Sequence, residues 1–422
     1  MESRQARHRK PKKEVSLRSK TSLKVIGGLT LAAVVCFAIG IGASYWTSNK
    51  DPKGTPPTTV SSAALPTAAI SPKPSAQTNQ PSMQPSPAAT APMIVKSPSP
   101  AVTDKPPGNG SQVRLSFVGD VMLASKVEDI LKAKGYDYPY TNVKDFLTKP
   151  DYTIANLETP ITTRGTVQSK DYVYRSSPLV LPALKASGID LVNLANNHVM
   201  DYGTEGLLDT MDALDQADVK RVGVGKNVEE AYQPVIVEKQ GMKIAFFGFS
   251  RVVPEASWKA SSSHPGVAET YNYIPPVEAI QKAREKADLV VVIAHWGVER
   301  SDLPDKNQKD LAHRYIDAGA DLVIGSHPHV LQGFEQYKGK WIAYSLGNFI
   351  FTTNDIPKTW ETVIVEAACS KDKQCDMHLV PILTKSALPT PMNAEDGKKL
   401  FERLSQISIG ARIDAQGNVS KK

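Results

Sequence analysis

Between Lys24 and Lys50 the chain carries no charged side chain, and residues 25–46 (VIGGLTLAAVVCFAIGIGASYW) form an unbroken apolar run of 22 residues. About 20 such residues in a helix cross the hydrocarbon core of a bilayer, so the run predicts one transmembrane signal anchor. Residues 1–24 hold nine Lys or Arg against two Glu. Such a basic segment stays cytoplasmic, while Tyr45 and Trp46 fall where an outer aromatic belt sits. The expected localisation is the cell membrane, single-pass, with the N-terminus cytoplasmic and all that follows residue 46 extracytoplasmic. A cleaved signal peptide is the alternative reading, but its apolar core would span only about 7–15 residues. Cys36 lies mid-span without the small residues that precede a lipoprotein site, and reads as lipid-facing filler.

The formal net charge of +7 resides in that tail, because the other 398 residues balance 41 basic against 41 acidic. A basic groove for nucleic acid is therefore excluded as the default, since phosphate recognition needs clustered positive charge on the folded part. Fourteen of the 31 prolines lie between Asp51 and Gly110. Residues 47–110 are rich in Pro, Ser, Thr and Ala, which cannot bury enough apolar surface to offset chain entropy. They read as a disordered tether reaching on the order of 190 Å when extended as polyproline. With three Cys and no glycine period, a disulfide framework and a collagen are also excluded.

After Gln112 short β-rich runs alternate with amphipathic stretches. Strands are expected at 113–118, 152–156, 190–195, 243–249, 288–294 and 321–325, and helices at 126–134, 179–187, 204–217, 277–286 and 306–318. That order is α/β. Strands then follow one another at 330–334, 341–344, 362–368 and 377–382, before a helix at 394–406. The folded domain is expected over 111–410, with 411–422 as a C-terminal tail. Segment 251–273 reads either as a loop over the site or as a mobile surface excursion. Cys369 and Cys375 flank the SKDKQ turn, where a cross-strand disulfide is geometrically feasible and an external location permits it. Two reduced thiols are the other reading, and the bridge is favoured.

Four of the eight histidines follow buried strands directly: His198, His295, His327 and His329. Strand ends are where α/β folds place ligands. Asp120 and Glu158 stand at two more such ends. A lone histidine there is more often structural, but six imidazoles and carboxylates converging on one edge would be mutually repulsive or underbonded without a cation.

The runs GDVML (119–123), NLETP (156–160), LANNH (194–198), HWG (295–297), DAGADLVIGSHPHVLQG (317–333) and YSLGNFIF (344–351) resemble the CapA capsule-biosynthesis family. That family takes part in poly-γ-glutamate synthesis and export and belongs to the calcineurin-like metallophosphoesterase superfamily. The resemblance covers about residues 113–383. It implies a four-layer α/β/β/α sandwich with two metals at the strand ends. By residue-to-residue match, metal two takes Glu158, Asn197, His295 and His327, and metal one takes Asp120, Glu158 and His329. The histidine of the superfamily's first motif is replaced by Met122, whose thioether is a soft, weak ligand. A tight site beside a looser one is therefore expected. His198 matches the histidine that faces substrate, with Asp201 as the group that orients it. Asn156 lies beside Glu158, and Glu299, Ser326 and Asn348, each next to a motif, read as supporting residues or as simply solvated side chains. Arg175 is an anion-contact candidate or a plain surface arginine.

His and carboxylate donors together suit Mn, Fe or Zn. Two functions follow: a metal-dependent hydrolase acting on a phosphoester or amide of a capsule or other envelope intermediate, or a non-catalytic assembly or wall-binding scaffold. By resemblance, the partners are a membrane-bound poly-γ-glutamate ligase and its companion membrane subunit, with an anionic polymer or phosphoester as substrate.

Overall fold

A computed structural model describes residues 112–422; the predicted basic tail, membrane span and tether lie outside the described residues. Among the described residues no helix is long and apolar enough to cross a membrane.

In chain order the elements are β1 (Gln112–Val121), α1 (Lys126–Lys134), α2 (Lys144–Thr148), β2 (Tyr152–Leu157), α3 (Leu181–Ala186), β3 (Leu191–Asn193) and α4 (Gly203–Gln216). They continue with β4 (Lys220–Val222), β5 (Val224–Gly225), α5 (Val228–Ala231), β6 (Val235–Lys239), β7 (Met242–Ser250) and β8 (Gly266–Val267). Next come α6 (Ile274–Arg284), β9 (Leu289–His295), α7 (Lys306–Ala318), β10 (Leu322–Ser326), β11 (Phe334–Tyr337), β12 (Lys340–Ala343) and β13 (Asn348–Ile350). The last are β14 (Glu361–Ser370), β15 (Cys375–Lys385), β16 (Leu388–Pro391), α8 (Ala394–Ile407), β17 (Ala411–Ile413) and β18 (Asn418–Lys421).

Two sheets carry the domain. The first runs β17-β18-β15-β14-β1-β2-β3-β4, with β13 also on β1 and β16 on β15; the second runs β11-β12-β10-β9-β7-β6. Strands β1 to β4 are parallel, as are β7, β9, β10 and β12, so the loops leaving their C-terminal ends share an edge within each sheet.

Alternation along the strands sorts side chains into layers. Leu115, Phe117, Ile154 and Leu191 of the first sheet meet Ile244, Phe246, Val291, Ile293, Leu322 and Ile324 of the second, forming the middle of the core. The opposite face of the first sheet, through Val118, Ala155, Leu157 and Val192, is covered by α1, α3 and α4 with Leu131, Leu184, Leu207, Met211 and Leu214. On the far face of the second, Ala245, Phe247, Val290 and Val292 pack beneath Ile280 of α6 and Leu311, Ala312, Tyr315 and Ile316 of α7. Helix α7 shows how locally this is specified: Asp305 and Gln308 form a capping box at its start, and Gly319 closes it at φ 119°.

Two sequence expectations are corrected, and a third segment is given its structure. Residues 330–334 are not a strand: Leu331 makes only an isolated bridge to Leu346, and pairing begins at Phe334, because 326–333 turns to present two histidines. Residues 411–422 are not a tail, since β17 and β18 form a hairpin that pairs with β15 and buries Ala411 and Ile413. Segment 251–273 contains β8, paired with β5, and a short 3-10 turn whose Trp258 is buried in the core against the first sheet.

Cys369 and Cys375 are opposite each other across β14 and β15 and are joined by a disulfide. Closing so short a loop limits what the bridge adds. Changing both cysteines to serine should cost about 2 kcal/mol by the loop-entropy relation, read as a shift in the urea midpoint of oxidised protein. A midpoint unmoved by the double substitution, or by reductant, would count against the bridge.

Candidate metal centre

The residues singled out at strand ends meet at one edge where the two sheets face each other. From the first sheet come Asp120 near the end of β1, Glu158 directly after β2, and Asn197 after β3. The second supplies His295 as the last residue of β9, followed by His327 and His329 just beyond β10. Asp120, Glu158 and His295 are fully buried, and Asn197 and His327 are nearly so.

Backbone packing explains the glycine of the first motif. A Cβ on Gly119 would stand 1.9 Å from the Gly347 carbonyl oxygen. That contact lets the Asp120 amide donate to the Gly347 carbonyl at 2.9 Å and sets Asp120 opposite Asn348 in register. His327 and His329 both have positive φ, 97° and 57°, a region unfavourable for side chains with a Cβ. Such strain persists where surrounding structure enforces it, commonly at functional sites.

The Asn156 amide sits at the centre. Its Nδ2 donates to Asp120 Oδ1 at 2.8 Å, lies 3.4 Å from Glu158 Oε2 and 3.3 Å from His295 Nδ1, while its Oδ1 accepts from Asn193 at 3.0 Å. Ser326 Oγ is 3.1 Å from His295 Nδ1, and Asn197 Oδ1 is 2.8 Å from Nε2, so the ring is fixed from both sides. His329 Nδ1 lies 3.2 Å from Asp120 Oδ2 and 2.9 Å from Asn348 Oδ1. Glu158 Oε1 is 3.5 Å from His295 Nε2 and 3.9 Å from His329 Nε2.

Two polar atoms are left over. Glu158 Oε1 and His327 Nδ1 are buried without a hydrogen-bond partner, which costs several kcal/mol for a charged group. Electrostatics shows the same frustration. Burial, then Asp120, pushes the Glu158 carboxyl well above the usual range. Burial, then the neighbouring imidazoles, holds His295 well below its ordinary value and His327 down at about 3. At His329 burial acts downward but is outweighed by Glu158 and Asp120, giving about 9. Three groups of three donors, each within 4.8 Å, emerge: Glu158, His295 and His327; Asp120, Glu158 and His329; and Glu299, His327 and His329. A divalent cation fits this donor set, since it would partner both orphaned atoms and offset the carboxylate charge.

Beside the cluster, His198 Nδ1 lies 2.7 Å from Asp201 Oδ2. Lys170, which sequence reasoning missed, reaches Asp201 Oδ1 at 2.5 Å and the Asn197 carbonyl at 2.6 Å, and packs over the Trp258 ring. The Asp201 carboxylate also accepts from the Tyr174 amide at 2.8 Å. Burial lowers the His198 pKa despite Asp201. Arg175 is not brought to these groups. Its guanidinium packs over Tyr202 and lines a separate cavity with Glu128, Lys132, Thr162, Thr163 and Ser177.

The family model of the bacterial capsule synthesis protein PGA_cap matches residues 114–353. The chain belongs to this family. The PGA_cap match contains every donor of the cluster, from Asp120 to Asn348. Capsule biosynthesis protein CapA of Bacillus anthracis is 32% identical over 304 residues, 70% of this chain and 73% of that protein. PGA biosynthesis protein CapA of Bacillus subtilis is 34% identical over 289 residues, 67% of this chain and 75% of that protein. A probable polyglutamine synthesis accessory protein of Mycobacterium tuberculosis is 34% identical over 214 residues, 48% and 56% of the two chains.

Proposed function

We propose that this chain is a membrane-anchored, extracytoplasmic component of poly-γ-glutamate synthesis and export, and that its strand-edge cluster holds two divalent cations and acts as a metal-dependent hydrolase of the metallophosphoesterase kind. The observation that carries the metal reading is the buried, unpartnered Glu158 Oε1 facing two imidazole nitrogens. The names of the two Bacillus relatives support the biological role. The apolar run at 25–46 supports the anchor, and the membrane ligase and companion subunit of the polymer pathway are the proposed partners.

In this reading Glu158, Asn197, His295 and His327 hold one cation, and Asp120, Glu158 and His329 the other. Mn, Fe or Zn suits these donors. A bound pair of such ions lowers the pKa of water and clamps the oxygens of a displacement. The chain does the positioning. Asn156 spaces the two carboxylates, Ser326 holds His295 so that Nε2 faces Asn197, and the Lys170–Asp201 pair fixes His198 through Nδ1. The other ring nitrogen of His198 is then the group to accept a proton and, once the ring is protonated, to pass it to a leaving oxygen or nitrogen.

A scaffold without catalysis is the second reading, favoured by Met122 at the first motif. His295→Ala separates the two when metal content, manganese-dependent phosphodiester cleavage and surface polymer are measured together. We expect metal affinity to fall at least about tenfold, as loss of even a supporting residue does, and polymer and cleavage to fall with it. If metal is lost while surface polymer is undiminished, the hydrolase reading is wrong and the scaffold stands.

A further inference from the structure

Glu299 has no role in the cation assignment above. It follows His295 by four residues, after the chain turns at Gly297 with φ 94°. Its side chain is exposed, and no hydrogen bond or ion pair to it occurs among the described residues. Yet one of its carboxylate oxygens lies within 4.8 Å of donor nitrogens of both His327 and His329. Of those two, His327 is 4% exposed and its Nδ1 is unpartnered.

The loop that carries Glu299 is fastened on both flanks. Trp296 N donates to the Ser326 carbonyl at 3.2 Å, and Arg300 N donates to the Pro328 carbonyl at 2.7 Å, between the two histidines. The Gln332 amide holds the Ser301 carbonyl at 2.9 Å. An acid on a free surface loop would wander from these rings, whereas this one is tied to the same turn that presents them. Glu158 approaches the imidazoles from inside the protein, and Glu299 approaches from the solvent side. Its hard carboxylate oxygen suits Mn far better than a thioether does.

We propose that Glu299 is itself a metal ligand, closing the exposed side of the cluster with His327 and His329 and supplying a donor that Met122 does not. The proposal rests on the two-cation reading above. It makes the cation held by Asp120, Glu158 and His329 dependent on Glu299 and leaves the other, with Glu158, Asn197, His295 and His327, largely independent of it.

The test uses the full chain in detergent, loaded with manganese and freed of excess. Metal per protein is measured by mass spectrometry, and exchange coupling between neighbouring Mn(II) ions by electron paramagnetic resonance. Glu299→Gln keeps the shape and removes the charge, and because the side chain is exposed the fold should be unaffected. An exposed acid on α8, Glu395→Gln, is the control. We expect wild type and control to hold about two ions with a coupled signal, and Glu299→Gln to hold about one, uncoupled, with affinity for the cation on Asp120, Glu158 and His329 at least about tenfold weaker. Two coupled ions in Glu299→Gln, at affinity within about twofold of wild type, would overturn the Glu299 assignment and leave the two-cation reading standing. A wild type that binds no manganese, iron or zinc overturns both.

Discussion

Glu158→Gln should leave the metal-free protein at least as stable as wild type and remove most of the thermal stabilisation that manganese confers. Glu158 is fully buried, and Oε1 has no partner. Burial and the nearby Asp120 carboxyl raise its pKa well above 4.5. Without a cation, a carboxylate there is a liability, whereas an amide of the same shape is neutral. The sign of the pH effect follows. Between the unfolded value and the raised folded one, the native state binds more protons than the unfolded state, so metal-free wild type should lose stability as pH rises through that window. The variant should lack that loss. With the cation at about a hundredfold its dissociation constant, ligation is worth about 2.7 kcal/mol, and removing a donor shared by both positions should forfeit most of it. Thermal unfolding in chelator and in manganese checks both halves. Equal manganese stabilisation of variant and wild type would rule out Glu158 as the shared donor.

The second large effect is expected from backbone crowding rather than from charge. Gly119→Ala places a methyl group 1.9 Å from the Gly347 carbonyl oxygen and 2.9 Å from its carbon. Both partners are backbone and both are interior, so neither can swing aside. Separating them breaks the 2.9 Å bond from Asp120 N to Gly347 O and moves Asp120 away from Asn348 and His329. We expect a loss above about 3 kcal/mol, beyond usual overpacking costs, and little soluble protein. Gly241→Ala is the comparison, because Gly241 has φ +68° with open space around it. Only the backbone preference is violated there, at about 1–2 kcal/mol. Urea denaturation of the two variants separates crowding from conformation, and similar midpoints would show that the Gly119 contact yields easily.

The alternation of β-rich and amphipathic segments made the α/β core readable from sequence, because each buried strand ends at a polar cluster. Helices 126–134 and 306–318 match the structure in both bounds. The region 330–334 misled because an apolar run looks the same whether it pairs or turns. The strands within 411–422 were hidden because Ala411, Ile413 and Val419 are too few to give a period. At the site, strand-terminal His and acid residues were legible because their side-chain chemistry is conspicuous. Lys170 was not, since its segment has no periodicity and a half-buried lysine looks like a solvated one until Asp201 is seen beneath it. Arg175 shows the converse, a cation near a motif in sequence whose contacts are with Tyr202.

Three of the six donors ride on each sheet, and only the apolar middle layer separates those sheets behind them. Any sliding of one layer over the other alters every donor-to-donor distance across the seam at once, while distances within each half are preserved. With ions held as proposed, grip on them would gauge interlayer alignment, and pressure on a remote rim of either sheet would reach the cluster without touching it.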